Sequence, residues 1–189
     1  MSASPAAPLV LASTSPQRRA ILEQLRIPFD MVAPDFDEES APGPLERAVG
    51  KAHSVGQDER PVLGIDTEVL FGGGLLGKPA DETEAEAMLE LLSGQTHDVV
   101  SGLCLRTLAW EEQHTETTRV TFRTLTPRDL ARYVESREWE GRAGGYAIQG
   151  VGAGLVEKID GDFLNVVGLP GALLVRLLAT RFAGVYGFG

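Results

Sequence analysis

Cysteine is almost absent from this chain of 189 residues: Cys104 stands alone, so no internal disulfide can form. A single thiol fits a reducing compartment. Its place in the apolar run Gly102–Leu105 reads as a small buried hydrophobe and not as a nucleophile. Histidine is scarce too. His53, His97 and His114 are scattered without metal-ligand spacing, which argues against a zinc site. No apolar stretch reaches the roughly 18 residues that a spanning helix needs. Met1–Pro8 has neither basic residues nor an apolar run, so no secretory signal is expected. Positive charge is in deficit: 17 Lys and Arg stand against 27 Asp and Glu, a formal net charge of −10. Such a field repels nucleic acid backbones and anionic membranes, and neither is expected as a partner. The expected location is the cytoplasm. Phosphate binding would have to rest on a local cluster of cations, helped by a divalent metal. The Gly-x-Ser-x-Gly elbow and the P-loop pattern are both missing.

What is present suits a folded α/β protein. The hydrophobic fraction of 43% supports a core, and the length suggests one domain or one compact domain with two lobes. Residues 1–8 read as a disordered lead and residues 9–189 as a single domain. Leu9–Ala12 reads as a buried strand. Ser15 and Pro16 then form an N-cap and first helical residue for a helix with Ile21, Leu22 and Leu25 on its apolar face. Phe29–Ala33 is a second strand, Leu45–Val55 a helix, and Val62–Ile65 a strand ending at Asp66-Thr67. Gly72-Gly73-Gly74 between Val69–Phe71 and Leu75-Leu76 predicts a hairpin. Thr83–Leu92 has helical spacing and stops at Gly94. Strands follow near Val99–Thr107 and Thr115–Thr124, then a helix opened by Thr126-Pro127, a glycine-rich loop at Gly144–Gly154, and a closing pair of strands, Leu155–Ile159 and Phe163–Val167. Leu173, Leu174, Leu177 and Leu178 stripe a final helix. Alternating strands and helices, interrupted by hairpins, predict a mixed twisted sheet with flanking helices.

Four clusters carry chemistry. Ser13-Thr14-Ser15-Pro16-Gln17-Arg18-Arg19 puts hydroxyls before a helix N-terminus and guanidinium groups just inside it, a setting suited to a polyphosphate. It reads equally as a capped surface helix. Asp66 follows an apolar strand and, with Glu38 or Glu39, could hold Mg²⁺ or Mn²⁺ or orient an attacking water. Alone, Asp66 could be a turn former and the glutamates a solvated loop. Lys78 in Gly77-Lys78-Pro79, and Lys51, are candidate phosphate ligands or plain surface charges. In Gly144–Gly150, Gln149 offers a donor and an acceptor to a base edge, unless the segment is only a flexible turn.

Together these segments resemble the Maf family of nucleotide pyrophosphatases, from Leu9 to about Leu178. The resemblance rests on Leu11–Arg19, Asp37-Glu38, Gly64-Ile65-Asp66-Thr67 and Gly77-Lys78-Pro79. It continues through Met88-Leu89, Leu92-Ser93-Gly94, His97, Ala143–Gly150 and Val167-Gly168-Leu169-Pro170. It implies a two-lobed α/β fold around a central cleft, similar to the inosine triphosphate pyrophosphatases, and commonly a homodimer. It also implies hydrolysis of a nucleoside triphosphate to the monophosphate and pyrophosphate with Mg²⁺, Mn²⁺ or Co²⁺. By the same resemblance Asp66 is the proton acceptor, and Glu38 a metal-linked carboxylate beside it. Ser13, Arg18, Lys51 and Lys78 match phosphate-binding positions. Gln17, Thr67 and Gln149 occupy the three specificity positions. Thr67 and Gln149 match members acting on dTTP and UTP, whereas Gln17 departs from both that pattern and the 7-methyl-GTP pattern. The expected substrates are dTTP, UTP and modified pyrimidine nucleotides. The alternatives are 7-methyl-GTP hydrolysis or a non-catalytic nucleotide sensor controlling division.

Overall fold

The computed structural model describes residues 7–56 and 59–189, so most of the expected lead, residues 1–6, lies outside it. Among the described residues seven strands form one sheet: β1 (Leu9–Ala12), β2 (Phe29–Val32), β3 (Val62–Phe71), β4 (Gly74–Leu76), β5 (Thr96–Arg106), β6 (Glu111–Phe122) and β7 (Val156–Asp160). The order is β2-β1-β3-β5-β6-β7, with β4 paired to β3. β1 runs parallel to β2 and to β3, while β3–β4 and β6–β7 are antiparallel, so the sheet is mixed, as the hairpin signals predict. Among the described residues six α-helices accompany it: α1 (Pro16–Gln24), α2 (Pro44–Ser54), α3 (Glu82–Leu92), α4 (Pro127–Glu135), α5 (Phe163–Val167) and α6 (Gly171–Arg181). Among the described residues no helix is long and apolar enough to cross a membrane.

The chain divides into two compact units. Of the described residues, the first comprises 7–56, 59–67, 101–116 and 168–189; the second comprises 68–100 and 117–167. In the first unit, β1, β3 and α2 share a core of Val10, Ala12, Ala48, Ala52, Val55, Val62 and Cys104. Burial holds the Cys104 thiol up at about 12, so it stays protonated, in keeping with its reading as a hydrophobe. The helix lies very close to the strand. A Cβ on Gly64 would run into the Ala48 carbonyl and come within 2.9 Å of the Ala52 Cβ. A Cβ on Gly102 would likewise strike the backbone at Pro44 and Leu45. Gly64 and Asp66 are two apart and face the same side of β3. Arg47, Ala48, Lys51 and Ala52 lie on one face of α2. Glycine at 64 therefore sets the distance at which the cations of α2 meet Asp66.

In the second unit, Ala85, Leu89 and Leu92 of α3 pack with Leu130 and Tyr133 of α4, Val120 and Phe122 of β6, and Tyr146 and Ile148 of the glycine-rich segment. α4 opens with a capping box: Thr126 and Asp129 satisfy each other's backbone N–H groups. His97 is a core residue here. Its Nε2 lies 2.8 Å from the Tyr146 hydroxyl, and burial pulls its pKa down to about 4, so the ring is neutral at physiological pH.

Two expectations are corrected. β3 does not end at Asp66-Thr67 but runs on to Phe71, because both polar side chains find partners beside the strand: Asp66 with Lys51, and Thr67 with Ser101 at 2.8 Å. Phe163–Val167 is helix α5, not a strand. Asp162 turns the chain there, its Oδ1 accepting the Leu164 N–H at 2.8 Å. Asn165 spends its amide on the Val99 carbonyl at 3.0 Å and the Thr118 hydroxyl at 3.1 Å. β7 pairs with β6 instead.

The contact at Gly64 is testable. Gly64→Ala should lower stability by about 2 kcal/mol, since overpacking forces helix and strand apart. Gly56→Ala, where a Cβ meets nothing within 4 Å, should change it by less than about 0.5 kcal/mol. Equal effects in urea unfolding would mean that the close approach is not a constraint.

Candidate functional site

The charged cluster of the first unit centres on Asp66. Its Oδ1 accepts from the Lys51 ammonium at 2.5 Å, and its Oδ2 from Arg47 Nη1 at 3.3 Å. Lys51 also pairs with Glu38 Oε1 at 2.9 Å. Lys51 is 4% exposed and Asp66 is 6% exposed, whereas the Glu38 side chain is 56% exposed. One ammonium thus joins a buried carboxylate to an open one. Glu38 starts a short 3-10 turn, Glu38–Ser40, capped by Asp37, whose Oδ1 accepts the Glu39 N–H at 3.1 Å. Arg47 Nε holds that turn as well, donating to the Glu38 carbonyl at 3.2 Å and the Ala41 carbonyl at 3.3 Å. Arg47 therefore ties the Glu38 turn to Asp66.

The hydroxyl-rich turn before α1 has the expected form. Ser15 caps the helix through the Arg18 N–H at 3.4 Å and donates its hydroxyl to Gln17 Oε1 at 2.9 Å. Ser13, 4% exposed, accepts from the Ser15 N–H and from Arg18 Nη1, each at 3.1 Å. Arg18 Nε donates to the Gly168 carbonyl at 3.0 Å. The Thr67 hydroxyl reaches the same carbonyl at 3.4 Å, so Gly168 anchors a phosphate candidate and a specificity candidate together. Burial pulls the Arg18 guanidinium below its usual value, opposed by the charges of Asp66 and Glu38.

The first unit thus gathers Ser13, Gln17, Arg18, Glu38, Lys51, Asp66 and Thr67. Lys78 and Gln149 belong to the second unit, and both are exposed. Their segments are tied to each other by the Gly144 N–H on the Gly77 carbonyl at 2.9 Å. Sequence reasoning missed Arg47. The signal was available, since Arg47 stands four residues before Lys51 on an expected helix and must share its face. It missed Ser101 too, because its serine shows no pattern before strand pairing is known.

As donors, Glu38 and Asp66 supply hard oxygens converging on one cation, the ammonium of Lys51. Among the described residues no third His, Cys, Asp or Glu joins them. Two carboxylates with room for phosphate oxygens and water fit a Mg²⁺-like ion, which seldom takes an all-protein cage.

A family model described as Maf-like protein matches residues 8–181. The chain is similar to a dTTP/UTP pyrophosphatase of Deinococcus radiodurans, 43% identical over 100% of both chains. It is similar to one of Syntrophomonas wolfei, 40% identical over 90% of this chain and 96% of that one. A third, of Halalkalibacterium halodurans, is 41% identical over 93% and 99%.

The ion network has a thermodynamic signature. Lys51→Met should cost about 3 kcal/mol, because it strands a buried carboxylate with only Arg47 beside it. Adding Asp66→Asn should restore the larger part of the loss. A single-variant cost below about 1 kcal/mol would mean that water screens the pair as it does on a surface.

Proposed function

Since the chain belongs to the Maf family, we propose that it is a nucleoside triphosphate pyrophosphatase that hydrolyses dTTP and UTP, and related modified pyrimidine nucleotides, between the α and β phosphates. The observation that carries this reading is the convergence of Lys51 and Arg47 on a buried carboxylate whose charge also acts on Arg18. Three cations answer a polyphosphate in a protein whose net charge of −10 otherwise repels one. Glu38 and Asp66 would hold a divalent cation, Mg²⁺, Mn²⁺ or Co²⁺, which supplies charge compensation at phosphate oxygens when bound.

Asp66 is suited to act on water. An ionised carboxylate has about four lone-pair sites. Lys51 occupies one on Oδ1 and Arg47 one on Oδ2, and the remaining pairs can accept from a water molecule. That water attacks the α phosphorus and its proton passes to Asp66. The bond from the α phosphorus to the bridging oxygen breaks, and pyrophosphate leaves. Lys51 has three N–H donors, of which Asp66 and Glu38 take two, so the third can meet a phosphate oxygen. Arg18, fixed by Ser13 and Gly168, presents its remaining guanidinium donors to the same charge, and Lys78 adds an exposed ammonium. Preorganised charge of this kind dominates the catalysis of phosphoryl chemistry.

For the base, Gln149 can donate to O4 and accept from N3–H of thymine or uracil. The names of the relatives support the pyrimidine preference, as do Thr67 and Gln149. Gln17, which departs from both family patterns, is turned onto the Ser15 hydroxyl.

Asp66→Asn should lower kcat by about a hundredfold or more while the protein stays folded, since Lys51 keeps Glu38 as a partner. The product of the unaltered protein should be pyrophosphate. Wild-type turnover in the variant, or release of orthophosphate, would refute the reading. Gln149→Glu should reduce kcat/KM for dTTP and UTP about tenfold relative to other nucleotides. A uniform loss would count against base reading by this side chain.

A further inference from the structure

The segment around Gln149 is held at two points by residues of α4 and the chain just after it. The Tyr133 hydroxyl accepts the Ala147 N–H at 2.8 Å. The Glu138 carboxylate accepts the Val151 N–H at 2.9 Å through Oε1 and the Gly152 N–H at 3.0 Å through Oε2. Gln149 lies midway, two residues beyond the first anchor and two before the second. There is no slack between them. Gly150 has φ of +65°, and a Cβ there would run into the Glu138 carboxylate. A Cβ on Gly152 would run into the Ala147 carbonyl, so the loop folds directly onto itself. Glu138 is fixed in turn, its N–H bonded to Ser136 Oγ at 3.3 Å.

We propose that Glu138 and Tyr133 are positioning residues for base selection, fixing the backbone on both sides of Gln149 so that its exposed amide meets the base in one orientation. The inference rests on the base-reading role of Gln149 and extends it to residues that do not touch the substrate. A carboxylate on two backbone amides makes charge-assisted hydrogen bonds, among the stronger ones available. Anchoring both flanks removes loop entropy before the nucleotide arrives, which favours the correct base over one needing a different amide orientation. Cytosine is that competitor, because it offers a donor at position 4 and an acceptor at N3, the reverse of thymine. A loosened loop lets the amide serve either base.

The test is steady-state kinetics on dTTP and dCTP with the full chain. Glu138→Ala should lower the dTTP-to-dCTP ratio of kcat/KM about tenfold, mainly by raising KM for dTTP, with kcat changed by less than about threefold. Tyr133→Phe, which loses only the hydroxyl, should lower the ratio about threefold, and it decides the matter if Glu138→Ala does not fold. Glu138→Gln, with one acceptor oxygen left, should recover part of the ratio. In a Gln149→Ala background, adding Glu138→Ala should change the ratio no further, as required of residues acting through one side chain. If Gln149→Ala shifts the ratio but neither Glu138→Ala nor Tyr133→Phe does, the positioning role is overturned and base reading by Gln149 stands. An equal loss of kcat on both nucleotides overturns it in the same way. If Gln149→Ala leaves the ratio unchanged, base reading by Gln149 fails and the positioning role fails with it.

Discussion

Burying the ammonium of Lys51 removes a strongly hydrated charge from water, and only carboxylates at contact distance offset that cost. The first unit is arranged to supply them. Asp66 comes from the middle of β3, between the stretch that pairs with β1 and the stretch that pairs with β4. Glu38 comes from a capped turn that Arg47 fastens from below. α2 presents Lys51 and Arg47 on one face, and glycine at 64 lets that face descend onto the strand. Lys51 and Asp66 each have two partners of opposite charge, so removing any one group weakens the network without leaving either of them wholly unpaired. Under the proposed function the same requirement would serve chemistry, since charges that are fixed and mutually satisfied have little reorganising to do when charge develops on phosphate.

The second unit uses a carboxylate in the opposite sense. Glu138 is spent on two backbone N–H groups of a glycine-rich turn, where a free donor pair would otherwise seek an anion. The neutral, buried His97 and Tyr146 beneath that turn add aromatic edge contacts with Phe122. Charge is concentrated around Lys51 and Asp66 in the first unit, and the glycine-rich loop of the second is held by hydrogen bonds and packing.

Much of the fold was legible because its signals are local. Ser15-Pro16, Thr126-Pro127, the helical spacing of Thr83–Leu92 and the triple glycine of the hairpin each specify a short element through backbone geometry. What failed was decided by neighbours distant in sequence. Asp66-Thr67-Glu68 looks like a strand end, since polar residues seldom continue a buried strand, but Lys51 and Ser101 accommodate the first two of them. Phe163–Val167 has strand composition, yet Asn165 must reach Val99 and Thr118, and a helical turn lets it do so. The charged cluster was legible as residue types. The joining of Glu38 to Asp66 through Lys51, and the part played by Arg47, required the distance between helix and strand.

The hydrogen bonds that shape these clusters differ in the length of chain they enclose. Lys51 and Asp66 are 15 residues apart, and Glu138 and Gly152 are 14 apart. Each can close soon after its segment is made, at small entropic cost. Arg18 and the Gly168 carbonyl are 150 residues apart. During folding the guanidinium waits, without its anchor, until the distant segment around Gly168 joins it. Residues 9–67 alone would therefore bring Lys51 to Asp66 but leave Arg18 without the carbonyl that fixes its guanidinium.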